Sequence, residues 1–134
     1  MIGLDTNVVV RAVVDDPGAP EQCAAAASLF RSLRPDGPGF VSEVVLVEVS
    51  WMLRSAFGFD RASVRAVIAG LASRTDLVVE HASRVDAALR DAELCDREIA
   101  DALIAAAGRD AGCARTATFD KAATVLPGDR KSVV

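Results

Sequence analysis

The chain opens on a short apolar run, Met1 to Leu4, that stops at an acid, Asp5. Brief apolar runs of this kind recur along the sequence, separated by longer stretches of helical periodicity. The opening run reads as a first buried strand. Residues 6–14 continue as a short helix, which Asp15, Asp16, Pro17 and Gly18 terminate. A second helix covers 20–33, with Pro20 in the first turn, where no backbone N–H is needed. It breaks at Pro35-Asp36-Gly37-Pro38-Gly39. Phe40 and Val41 form a brief strand, and Ser42 is placed to cap a helix over 43–57 that Gly58 ends. Asp60 caps a helix over 61–73. Residues 77–80 read as a strand, 83–94 as a helix, and 97–109 as another helix ended by Gly112. A strand over 113–117 leads into the turn Thr118-Phe119-Asp120, and 132–134 supply an edge strand.

Strands separated by helices imply an α/β fold, with parallel strands and helices packed on both faces of the sheet. The crossovers are then right-handed. In open sheets of this type ligands sit beyond the carboxyl ends of the strands. Asp5 and Asp120 each follow a predicted strand and belong at that end.

Length and composition narrow the class. At 134 residues, 51% apolar and 25% charged, residues 1–134 are expected to form one globular domain. No apolar run reaches bilayer-spanning length. The N-terminus lacks a basic region and carries Asp5 inside its apolar stretch, so it does not read as a signal peptide. Cys23, Cys95 and Cys113 are odd in number and widely spaced, which fits a reducing, cytoplasmic setting and small core residues.

A net charge of −4 argues superficially against a nucleic-acid partner. With Asp5, Glu48, Asp101 and Asp120 set aside, however, the 19 acids fall into balance with the 15 bases. The acidity is compatible with one pocket neutralised by cations.

Those four acids are the candidate chemistry. Glu48 has Val44, Val45, Trp51 and Met52 as its helical neighbours, which places it on an apolar stripe expected to face the core; Glu43, Ser50 and Arg54 take another face. A carboxylate there is costly unless paired, protonated or bound to a cation. Taken alone, an edge position reaching solvent explains Glu48 better. Asp101 repeats the pattern near the start of an otherwise apolar helix, where the helix dipole favours an anion. Glu98, one turn earlier, is either a ligand for a second ion, an orienter of bound water, or ordinary N-terminal helix charge. Asp5 and Asp120 could equally be helix or turn caps. Convergence of two strand-end acids and two helix-stripe acids favours a common site, with Thr6, Asn7 and Thr118 as supporting polar groups. An oxygen-only donor set suits Mg²⁺ or Mn²⁺ rather than Zn²⁺.

Several other chemistries are excluded. One histidine, His81, and no tyrosine rule out a two-histidine ribonuclease. No phosphate-binding glycine loop and no Gly-x-Ser-x-Gly elbow is present. His81 reads as a surface or cap residue.

Four stretches then resemble the PIN-domain family, and within it the VapC-type toxins of bacterial toxin–antitoxin pairs. They are Ile2-Gly3-Leu4-Asp5-Thr6-Asn7, Ser42-Glu43-Val44-Val45-Leu46-Val47-Glu48, Glu98 through Ala106, and Thr118-Phe119-Asp120-Lys121. Their order covers nearly the whole chain. The resemblance implies a three-layer α/β/α fold with a five-stranded, mostly parallel sheet, usually as a homodimer. It also implies one or two divalent ions held by Asp5, Glu48, Asp101 and Asp120, with Thr6, Asn7 and Thr118 in support. Glu98 stands where relatives often carry Asp. The implied activity is metal-dependent endoribonuclease cleavage leaving 5′-phosphate and 3′-hydroxyl ends. A cognate antitoxin is the implied protein partner, blocking the acidic pocket with a basic side chain. Arg11 and Lys121 are either RNA contacts or solvated surface charge. Two rival readings are a non-catalytic partner-binding module of the same fold and a metal-dependent phosphatase. The latter is disfavoured because Asp5-Thr6-Asn7 lacks a second aspartate.

Overall fold

The computed structural model describes residues 1–120 and 131–132. The elements in order are β1 (Ile2–Gly3), α1 (Thr6–Val13), α2 (Pro20–Ser32), β2 (Gly39–Val41), α3 (Glu43–Ser55) and α4 (Arg61–Ala72). After these come β3 (Leu77–Val79), α5 (Ala82–Cys95), α6 (Ile99–Asp110), β4 (Ala117–Thr118) and β5 (Lys131–Ser132). No helix among the described residues is long and apolar enough to cross a membrane.

Local chemistry sets the boundaries. Ser42 accepts from the Val45 N–H at 3.2 Å and Asp60 from the Ser63 N–H at 2.7 Å, so each satisfies a first-turn donor as its position predicts. Pro20 opens α2. Gly112, at φ +89°, closes α6: its N–H bonds to Arg109 O, and the Cys113 N–H to Gly108 O at 2.9 Å. Those two bonds form a Schellman turn. The turn carries the chain away from extended geometry, and for that reason the strand predicted over 113–117 begins only at Ala117. Asp96, in the left-handed region at φ 49°, separates α5 from α6 and delays α6 to Ile99.

β1, β2 and β3 form a parallel sheet in that order, with Ile2 beside Gly39 and Gly39 beside Leu77. β4 and β5 pair in parallel as a separate two-stranded sheet. The parallel α/β architecture thus follows the sequence, while the described ladders divide as three strands and two rather than one run of five. Gly39 is buried in the central strand, where a Cβ would lie 2.8 Å from Leu4 Cδ1 and 3.0 Å from Leu77 Cδ2.

One hydrophobic cluster runs from Leu4 to Ala106, centred on Val9, Leu46, Val49, Leu53, Ile68 and Ile99. Around it α1 packs on α2 and α3, α3 on α4 and α6, and α5 on α4 and α6. The cysteines differ from expectation: Cys113 is exposed just past the Schellman turn, and Cys23 and Cys95 are only half-buried.

Candidate functional site

The three parallel strands end side by side, so the residues just beyond them share one edge. Asp5 follows β1, Ser42 and Glu43 follow β2, and Glu80 follows β3. Asp5 is exposed and caps α1, its Oδ1 accepting from the Thr6 N–H at 2.8 Å. Thr6 is buried at 5% exposure, and its hydroxyl donates to Glu48 Oε2 at 3.0 Å. One residue therefore joins a strand-end acid to an acid in the middle of α3.

Glu48 does not face the core. The buried face of α3 is Val45, Leu46, Val49, Ser50 and Leu53, whereas Val44 and Trp51 are 65% and 71% exposed. Glu48 lies with the latter pair, exposed. The helix carries apolar residues on both faces, and the wider row of branched side chains takes the interior. Ser50, assigned to the polar face, is buried with its hydroxyl donating to Val47 O at 2.7 Å. Burial thus supplies no cost that a cation must relieve at Glu48.

Asp101 sits in the first turn of α6, half-buried at the border of a face formed by Ile99, Ala102, Leu103 and Ala106. It lines a groove with Glu98, Val47, Trp51 and Arg54. Glu48 lines the adjoining groove with Glu43, Glu80, Val47 and Ile104. Val47 thus separates the two grooves along the junction of α3 and α6. Asp120 is exposed, and its N–H bonds to the half-buried Thr118 Oγ1 at 3.0 Å, turning the chain after β4. Asn7 is exposed on α1 and borders the α1–α2 groove. Arg11 points into that groove, with Nε on Gln22 Oε1 at 3.1 Å and Nη1 3.4 Å from Asp16 Oδ2. Lys121 lies outside the described residues.

Among the described residues, no three of the four predicted acids bring ligand atoms within 4.8 Å of one another; the trio that does is Glu43, Glu80 and His81. The sequence pattern does not single out this trio, although Glu80 closes a strand as Asp5 does. Its groups already have partners. Glu43 Oε2 accepts from Arg84 at 2.8 Å, and Glu80 Oε1 accepts from the Glu43 N–H at 3.0 Å, capping α3 from across the sheet edge. His81 occupies the cap position of α5 with no side-chain capping bond, as a surface role predicts.

The acids differ in electrostatic company. Arg84 also donates to Asp110, whose hydrogen bond, together with the Glu43 charge, raises the guanidinium above its ordinary pKa. Arg54 pairs with Glu98. Hydrogen bonds from Arg61 and Arg65 hold Asp96 below the ordinary carboxylate range. Asp5 and Glu48, by contrast, are held among the described residues by the Thr6 N–H and hydroxyl, and by no cationic side chain. Two oxygen-donor carboxylates bridged by a neutral residue fit a hard divalent cation.

No curated protein matches the chain. Comparison with protein families matches residues 2–127 to the PIN domain. That family consists generally of metal-dependent nucleases. With the match spanning nearly all of a parallel α/β chain whose strand ends carry Asp5 and Glu80, the chain belongs to the PIN-domain family.

Proposed function

We propose that this single-domain chain is a magnesium- or manganese-dependent endoribonuclease, acting in the cytoplasm as the toxin of a VapBC-type pair. The observation that carries this reading is the Asp5–Thr6–Glu48 link, with both carboxylates free of cationic partners among the described residues while Glu43, Glu98 and Asp110 are paired with arginine.

In this reading Asp5, Glu48, Asp101 and Asp120 hold the divalent ion, directly or through water. A divalent ion held there would supply Lewis acidity, for activating water and for stabilising charge on a phosphate. Thr6 fixes Asp5 through its N–H and Glu48 through its hydroxyl, which sets the orientation of both acids before substrate arrives. The first turn of α6 favours the negative charge of Asp101. Thr118 shapes the loop that carries Asp120. Asn7 offers an exposed amide two residues after Asp5, and Lys121 and Arg11 remain the proposed contacts to flanking phosphates. The β4–β5 pair is proposed to extend the three strands into a five-stranded sheet with helices on both faces.

Val44, Trp51 and Ile104, exposed at 65%, 71% and 50%, line the junction of α3 and α6 and support a protein partner there. The family resemblance supplies two, a second copy of the chain and a cognate antitoxin.

Incubation of purified protein with RNA tests the activity. The expected result is Mg²⁺-dependent cleavage that EDTA and Asp5→Asn each abolish. Cleavage surviving both would mark a contaminant. Turnover of phosphorylated small molecules without RNA cleavage would overturn the assignment in favour of a phosphatase.

A further inference from the structure

The chain holds one tryptophan, five phenylalanines and no tyrosine. Phe30 is buried in the core, and Phe40, Phe57 and Phe59 are half-buried. The two remaining rings, Trp51 and Phe119, are 71% and 73% exposed. Each keeps a large apolar face in water, from which the fold itself gains nothing. Both stand beside acids of the proposed site. Trp51 lines the α3–α6 groove of about 570 Å³ that also takes in Asp101. Phe119 directly precedes Asp120 in the turn after β4.

A protein partner at the α3–α6 junction accounts for Trp51 but not for Phe119, which lines neither groove there. Val44 and Ile104 line the adjoining groove, whereas Trp51 opens onto the one that holds Asp101. What the two rings have in common is a neighbouring acid. Charge in the Trp51 groove points the same way. Arg54 is paired there with Glu98 at 2.9 Å, so the lining residues offer no surplus cation to a phosphate. A nucleobase, neutral and flat, suits such a wall, and unpaired RNA bases are commonly held by stacking on aromatic side chains. We propose that Trp51 and Phe119 are substrate-positioning residues, each stacking an unpaired RNA base next to the phosphate that is cleaved. The inference rests on the proposed function, which brings Asp101 and Asp120 to one ion and so sets the two rings around it.

Steady-state cleavage of a short single-stranded RNA by the purified full chain is compared for wild type, Trp51→Leu, Trp51→Phe, Phe119→Leu and Phe119→Trp. Both positions are exposed, so the variants are expected to fold. Each leucine variant should raise KM about tenfold with kcat nearly unchanged, the scale of one lost stack. Each aromatic replacement should keep the wild-type KM. Leucine retains apolar bulk, so a merely apolar contact would leave KM in place in all four variants. Trp51 is the one tryptophan, and its emission reports the stack directly. Stopped-flow mixing of wild type with the RNA is expected to quench it, and mixing with an abasic strand of the same length is not. Wild-type KM in either leucine variant would overturn the role of that ring, and equal quenching by the abasic strand would overturn stacking at Trp51. Emission that shifts with protein concentration and ignores RNA would do the same, placing a second copy over the indole. A wild type that cleaves no RNA removes the proposed function itself, whereas cleavage with KM unmoved in both leucine variants removes only the role of the rings.

Discussion

The Thr6 hydroxyl donates to Glu48 across 3.0 Å, tying the first turn of α1 to the middle of α3 over 42 residues of sequence. Thr6 is buried and Glu48 exposed, so the bond orients a solvent-facing acid from an interior anchor. Thr6→Val keeps the shape and removes the donor. The expected stability loss is no more than about 1 kcal/mol, since Glu48 can turn to water. Mn²⁺ affinity is expected to fall about tenfold or more, and Thr6→Ser to retain it. Wild-type affinity in Thr6→Val would remove Thr6 from the site.

Gly39 is expected to resist enlargement. Its would-be Cβ meets three leucine methyls, Leu4, Leu77 and Leu33, at 2.8, 3.0 and 3.2 Å. Gly39→Ala therefore overpacks the central strand, at about 1–3 kcal/mol by chemical denaturation. The leucine ends are flexible, which places the loss at the lower part of that range. A neutral or stabilising effect would contradict the packing.

Two residues of α3 should separate folding from surface roles. Leu53 is fully buried and Trp51 is 71% exposed. Leu53→Ala is expected to cost about 2–5 kcal/mol, whereas Trp51→Ala stays within about 0.5 kcal/mol for the isolated chain. Comparable losses at both positions would contradict the assigned buried face.

Acid should weaken the fold through identifiable carboxylates. Hydrogen bonds from Arg61 and Arg65 depress the folded pKa of Asp96, one from Arg74 that of Asp76, and the Ser63 N–H that of Asp60. In the unfolded chain each returns to about 3.9. The unfolded state then binds more protons in acid, so stabilisation is complete above that value and disappears as pH falls through the depressed ones. Asp96→Asn preserves a residue type that tolerates the left-handed backbone at φ 49°. Its melting temperature should fall below wild type at pH 6, and the deficit should be smaller at pH 3. An equal deficit at both pH values would show that ionisation of Asp96 does not contribute.

Much of the fold was legible because local rules acted locally. Ser42 and Asp60 cap the helices their positions predict, and Pro20 opens α2. The face of Glu48 was not legible, because Val44 and Trp51 keep the same helical spacing as a core stripe and periodicity alone cannot rank two apolar faces. Tertiary packing decided between them. The Arg54–Glu98 pair spans 44 residues, and no local pattern announces it. The Glu43–Glu80 cap likewise depends on which strands lie side by side. The start of β4 turned on the Schellman turn at Gly112, whose geometry displaced the predicted strand.

The proposed site is one divalent ion shared by Asp5, Glu48 and Asp101. Its most direct test is the Mn²⁺ stoichiometry and affinity of purified protein, measured by electron paramagnetic resonance for wild type, Asp5→Asn, Glu48→Gln and Asp101→Asn. Glu43→Gln and His81→Ala serve as controls at the one trio within 4.8 Å among the described residues. The expected result is binding that each of the first three substitutions weakens and that both controls leave intact. Binding that withstands Asp5→Asn and Asp101→Asn but vanishes with Glu43→Gln or His81→Ala would contradict it.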